Sequence, residues 1–147
     1  MNVVVVYESR TGTTREAAEL IGGAARRAGA DVHVFPIEHI ELKPLAEADM
    51  VFVGSWVDGL FFFGQRPGGA RKIWALPAID RKRMSVFCTY AKNPGKTLRK
   101  MAGILEAKGA EVVEEQAFHR KRLDVGLDAY VADALAAVPV AGSGNRA

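Results

Sequence analysis

Apolar residues recur along this chain in two rhythms, and the rhythms alternate. Asn2–Tyr7 contains the unbroken run Val3–Val6, and MVFVG at Met50–Gly54 and MSVFCTY at Met84–Tyr90 are equally continuous. Runs of this length and composition predict strands covered on both faces. Asp31–Ile37 and Glu111–Phe118 also have strand character. They carry polar residues, Asp31 and His33 in the first and Glu111, Glu114 and Glu115 in the second, as edge strands do. Between these runs the period becomes helical. Thr13–Ala28 puts Ala17, Leu20, Ile21, Ala24 and Ala25 on one face and stops at Gly29. Pro44–Ala48 and Gly69–Leu76 read as shorter helical segments. Pro94–Lys108 has proline near its start and Gly109 past its end, and Val125–Val138 is stopped by Pro139.

Five strands alternating with helices predict an α/β fold: a three-layer, doubly wound, five-stranded parallel sheet with right-handed crossovers. Apolar strands in the centre and polar ones at the edges give the order 2-1-3-4-5. The 147 residues suit one domain. We expect it to span 1–139, with 140–147 a flexible tail. The single cysteine, Cys88, rules out a disulfide within the chain and fits a reducing compartment. No run approaches the ~18 apolar residues of a membrane span. Val3–Val6 is too short for a signal-peptide core. The expectation is a cytoplasmic, monomeric protein. The net charge of +3 comes with basic clusters at Arg26-Arg27, Arg71-Lys72, Arg81-Lys82-Arg83 and Arg120-Lys121-Arg122. Acidic residues are interleaved with them, so they read as solvated surface. No nucleic-acid motif accompanies them, and no nucleic-acid partner is expected.

In this strand order ligands bind beyond the carboxyl ends of the strands, where strands 1 and 3 diverge. The segment there is Ser9-Arg10-Thr11-Gly12-Thr13-Thr14, with four hydroxyls, one glycine and no carboxylate. The first turn of the following helix leaves amide N–H groups unpaired and carries about half a positive charge. The hydroxyls add donors, and Gly12 permits a tight turn around an oxygen. One Ser or Thr would suffice to cap a helix. Four with a glycine, at the switch point, predict a phosphate cradle. The loop is neither a Walker loop nor a dinucleotide fingerprint.

Ser9-x-Thr11-Gly12-x-Thr14 after the first strand resembles the phosphate-binding loop of the flavodoxins. The resemblance covers nearly the whole chain in strand order and element spacing. With no long insertion in strand 5, it is to the short-chain type. It implies that residues 9 to 14 hold the phosphate of flavin mononucleotide (FMN). Two further loops would clasp the isoalloxazine ring, Ser55, Trp56, Val57, Asp58 and Gly59 after strand 3 and Thr89, Tyr90 and Ala91 after strand 4. Trp56 would cover one ring face, and Tyr90 is the candidate for the other. Gly59 would allow a backbone rearrangement beside the ring. The implied function is single-electron transfer between a reductase and an acceptor protein, with no catalytic residue of the chain's own. The alternatives are an FMN-dependent oxidoreductase of the quinone reductase or protoporphyrinogen oxidase type, or a binding module that shares the fold without flavin. The basic composition adds weight to the enzyme, because carrier flavodoxins are usually strongly acidic.

Other residues change this picture less. Phe61, Phe62 and Phe63 cannot all face one way, so they are candidates for partner docking, ring coverage or core anchoring. Lys92 stands where the family usually has acidic residues or glycine. About 7 Å from a reduced, anionic flavin it would contribute ~2 kcal/mol, raising the second potential by on the order of 100 mV. Cys88 reads as a buried, inert thiol. His33, His39 and His119 are dispersed and show no metal spacing. Glu8 and Asp58 imitate the acidic site of a receiver domain poorly.

Overall fold

The computed structural model describes residues 1–58, 66–67 and 70–139, excluding the side chains of 58, 66 and 67. The strands are β1 (Asn2–Tyr7), β2 (Asp31–Pro36), β3 (Met50–Asp58), the two-residue β4 (Arg66–Pro67), β5 (Arg83–Tyr90) and β6 (Glu111–His119). The helices are α1 (Thr13–Arg27), α2 (Leu42–Glu47), α3 (Ala70–Trp74), α4 (Thr97–Ala107) and α5 (Leu127–Ala136). Five strands pair in parallel in the spatial order β2-β1-β3-β5-β6. This is the predicted 2-1-3-4-5 arrangement, with the short β4 added antiparallel to the end of β3.

The period of the strands divides the core into two layers. Val3 and Val5 of β1 pack with Ala17, Ala18 and Ile21 of α1 and Leu127, Tyr130 and Val131 of α5. Val4 and Val6 point the other way, toward Leu45 of α2, Ile73 of α3 and Met101 and Leu105 of α4. Successive side chains of a strand face opposite sides, so a run of four valines serves both layers. Each buried valine contributes roughly 1.5–3 kcal/mol. The Tyr130 hydroxyl donates to the carbonyl of Val86, 2.9 Å away, and ties α5 to β5. Burial holds this phenol protonated, well above its ordinary range.

One helix face and two boundaries differ most from the sequence reading. Leu20 is 42% exposed and does not join the buried face of α1, which is made by Thr14, Ala17, Ala18, Ile21, Gly22, Ala24 and Ala25. The helix lies so close to β2 that a Cβ on Gly22 would sit 2.9 Å from Val34 Cγ2. That approach turns Leu20 toward solvent. The third strand runs on past Gly54 to Asp58. Ser55 and Trp56 pair with Cys88 and Thr89, and Val57 and Asp58 pair with Pro67 and Arg66. α4 begins at Thr97, after the Asn93 side chain accepts the Gly95 amide at 2.7 Å and forms a turn. Among the described residues no helix is long and apolar enough to cross a membrane. Residues 140–147, expected to form a tail, lie outside the described residues.

Candidate functional site

The switch-point loop is shaped by its own side chains. The Glu8 amide donates to Gly54 O at 2.9 Å and carries the pairing of β1 one residue past its end. The chain then turns back on Ser9, whose Oγ accepts the amides of Gly12 at 3.0 Å and Arg15 at 3.4 Å. Gly12 has a φ of 96°, the left-handed region that favours glycine, and α1 starts at the next residue. The Thr14 hydroxyl is buried and hydrogen-bonds the Thr89 hydroxyl at 2.9 Å, joining this loop to the end of β5. The four hydroxyls therefore divide. Ser9 and Thr14 hold the loop in place, whereas Thr11 and Thr13 line a cavity of about 210 Å³.

The opposite walls of that cavity are Trp56 and Val57 from β3, Thr89 and Tyr90 from β5, and Ala91 after it. Arg10 and Arg120 complete the lining. The Arg10 guanidinium carbon lies 5.2 Å from the centre of the Trp56 ring, a cation–π distance. Trp56 Nε1 is buried and has no acceptor among the described residues. Tyr90 meets His119 edge-on at 5.3 Å, and its carbonyl accepts the Arg120 amide at 2.9 Å. No carboxylate side chain is among the described lining residues. Glu8, two residues before Arg10, is 8% exposed and pairs with Lys72 at 2.9 Å. Lys72 also pairs with Glu38 at 2.7 Å, and that hydrogen bond holds the Glu38 carboxyl below its usual range.

Of the residues singled out from the sequence, Arg10, Thr11, Thr13, Trp56, Val57, Thr89, Tyr90 and Ala91 meet at the cavity. Ser9, Gly12 and Thr14 shape the loop from behind. Ser55 is completely buried within β3. The Asp58 side chain, Gly59 and Phe61–Phe63 lie outside the described residues. Lys92 is exposed and does not line the cavity; the described cations that do are Arg10 and Arg120. Arg120 follows the fifth apolar run directly, so its place at this end of the sheet was available from the strand order. Cys88 is buried, and burial pushes its thiol up to about 12, so no thiolate is available at neutral pH. Among the described residues no group of histidine, cysteine and carboxylate side chains could hold a metal.

A family model described as a flavodoxin domain matches residues 4–119, well over half of the chain. This chain belongs to the flavodoxin family. A flavodoxin of Clostridium beijerinckii is 26% identical over 110 residues, which cover 75% of this chain and 80% of that one. The solution structure of two-electron reduced Megasphaera elsdenii flavodoxin matches with a TM-score of 0.76 at 23% identity, over 91% of this chain and 98% of that one. A Fusobacterium nucleatum flavodoxin mutant bound to flavin mononucleotide matches with a TM-score of 0.63 at 13% identity, over 91% and 92%. These two likenesses show the fold.

In this flavodoxin the Thr14–Thr89 hydrogen bond is a buried link between the first turn of α1 and the end of β5. Replacing either residue by valine leaves the other hydroxyl buried without its partner, at a cost of about 1–3 kcal/mol. Thr14→Val and Thr89→Val should each lower the midpoint of urea unfolding. The double variant should lose less than the sum of the two, because no orphan hydroxyl remains. Additive losses would show that the two hydroxyls act independently.

Proposed function

We propose that this flavodoxin carries single electrons between a reductase and an acceptor protein, with FMN as its redox group. The residues present suit that cofactor. The amides that open α1, together with the Thr11 and Thr13 hydroxyls, offer donors to a phosphate, and no described lining side chain repels it. Trp56 and Tyr90 supply aromatic walls for a flat ring. The backbone of Thr89–Ala91 would receive the pyrimidine edge. Bound FMN supplies the one-electron chemistry; the chain binds it, orients it and sets its electrostatics. The observation that carries this reading is a hydroxyl-and-amide loop at the switch point, facing a cavity walled by aromatics.

The oxidoreductase reading has less support. The described cavity lining holds no histidine, carboxylate, lysine or thiol to move a proton to or from a substrate. We assign the protein to the cytoplasm as a monomer, which its single buried thiol suits. Steady-state assay of the flavin-loaded protein with reduced nicotinamide and a quinone tests the choice. Turnover should stay at the level of free FMN until a separate reductase is added. Rapid turnover without one would make the protein a self-sufficient enzyme.

A further inference from the structure

The charge of this chain is unevenly placed. The loops that follow β1, β5 and β6 all lie at the cavity's end of the sheet. Over residues 8–12, 91–96 and 120–126 they carry Arg10, Lys92, Lys96, Arg120, Lys121 and Arg122 against Glu8 and Asp124. Six cations less two anions leave an excess of four, although the whole chain has only +3. Asp58 and Arg66, at the end of β3 and on β4, cancel in this count, as do Arg15 and Glu16 at the start of α1. Everything else in the molecule therefore sums to −1. Of the two anions, Glu8 is moreover buried against Lys72, a cation outside this count. The six cations are all exposed.

A bound phosphomonoester accounts for only part of this excess. It carries roughly −1.5 to −2, and of the six cations only Arg10 and Arg120 line the cavity. Lys92, Lys96, Lys121 and Arg122 lie outside the lining, on loops at the same end of the sheet, and act on what approaches it. We infer that this basic rim is the docking surface for an acidic protein, the redox partner that reaches the cofactor end of the sheet. A protein suits it better than a polyanion, because the cations are divided among three separate loops at the cavity's end of the sheet instead of forming one continuous run. Opposite charge at such a mouth steers encounter and raises association rates roughly 10- to 1,000-fold, an effect that salt removes. The inference rests on the carrier reading, and its test separates the two.

The test uses the FMN-loaded protein, reduced with dithionite and mixed in a stopped-flow instrument with one of two oxidised probes. One is an acidic iron–sulfur protein and the other a basic c-type cytochrome. With the acidic probe, the second-order rate should fall at least ~10-fold between about 10 and 300 mM salt. With the basic probe it should rise or stay flat. Lys96→Glu with Lys121→Glu takes the local excess from four to zero and touches no cavity-lining residue. In that double variant the salt dependence with the acidic probe should vanish, while FMN affinity and melting temperature stay as in the parent. A flat or rising salt profile with the acidic probe, or an unchanged one in the double variant, would overturn the inference. Failure to bind FMN at all would instead remove the carrier reading on which it stands.

Discussion

Thr13→Asp is expected to weaken FMN binding by roughly 100-fold or more while making the fold slightly more stable. Thr13 is the first residue of α1 and lines the cavity beside Thr11. A carboxylate placed there would stand about 5 Å from a phosphate held by the helix amides. At an effective dielectric of about 20, each pair of unit charges at that distance repels by ~3 kcal/mol, which is about 100-fold in affinity. The same carboxylate sits at the positive end of the helix dipole and should stabilise α1 by about 0.3–1 kcal/mol. The two effects have opposite signs, so a general loss of structure cannot imitate the result. Fluorescence titration with FMN and a urea melt of the apoprotein measure them separately. Unchanged affinity would remove the phosphate from this loop.

Gly54→Ala should have the largest effect on stability, about 3 kcal/mol. Gly54 lies in β3 with Phe87 opposite it in the neighbouring strand. A Cβ there would fall 2.0 Å from Phe87 Cζ and 2.1 Å from Cε2. Phe87 is completely buried and meets Phe118 edge-on at 6.5 Å, so its ring cannot move aside without displacing the core. Overpacking of this kind typically costs about 1–3 kcal/mol, and the depth of the overlap puts this site at the upper end. For a domain of this size that corresponds to a fall in melting temperature of about 6–12 °C. Phe87→Leu in the same chain should recover part of the loss by making room, and a calorimetric scan of the three variants checks both statements. A Gly54→Ala protein that melts with the parent would show that this contact is slack.

The sheet was legible because its signal is long and redundant. Val3–Val6 must bury both faces, and only a central parallel strand does so. Asp31 and Glu111 marked the edges by the same reasoning. Local pattern failed where tertiary contact decided the outcome. Leu20 belongs to the apolar stripe of α1 by period, yet Gly22 draws the helix against β2 and rolls Leu20 outward. Ser55–Asp58 read as a loop because the apolar run stops at Gly54. Their strand conformation comes from pairing with β5 on one side and Arg66–Pro67 on the other, and a two-residue partner containing proline leaves no recognisable pattern. The cradle was legible as chemistry but not as a division of labour. Nothing in Ser-x-Thr-Gly-Thr-Thr tells that Ser9 and Thr14 spend their hydroxyls on the backbone and on Thr89. The cluster Arg120-Lys121-Arg122 looks like ordinary surface until the strand order brings Arg120 to the same cavity as Arg10.

The most direct measurement is a comparison of FMN with riboflavin, which differ by the phosphate alone. Apoprotein titrated with each should quench FMN fluorescence to saturation at one equivalent. It should bind riboflavin at least ~100-fold more weakly, the loss expected when charge-assisted hydrogen bonds from the loop have no acceptor. Equal affinity for the two flavins, or no binding of either, would contradict the assignment of residues 9 to 14 as the phosphate site.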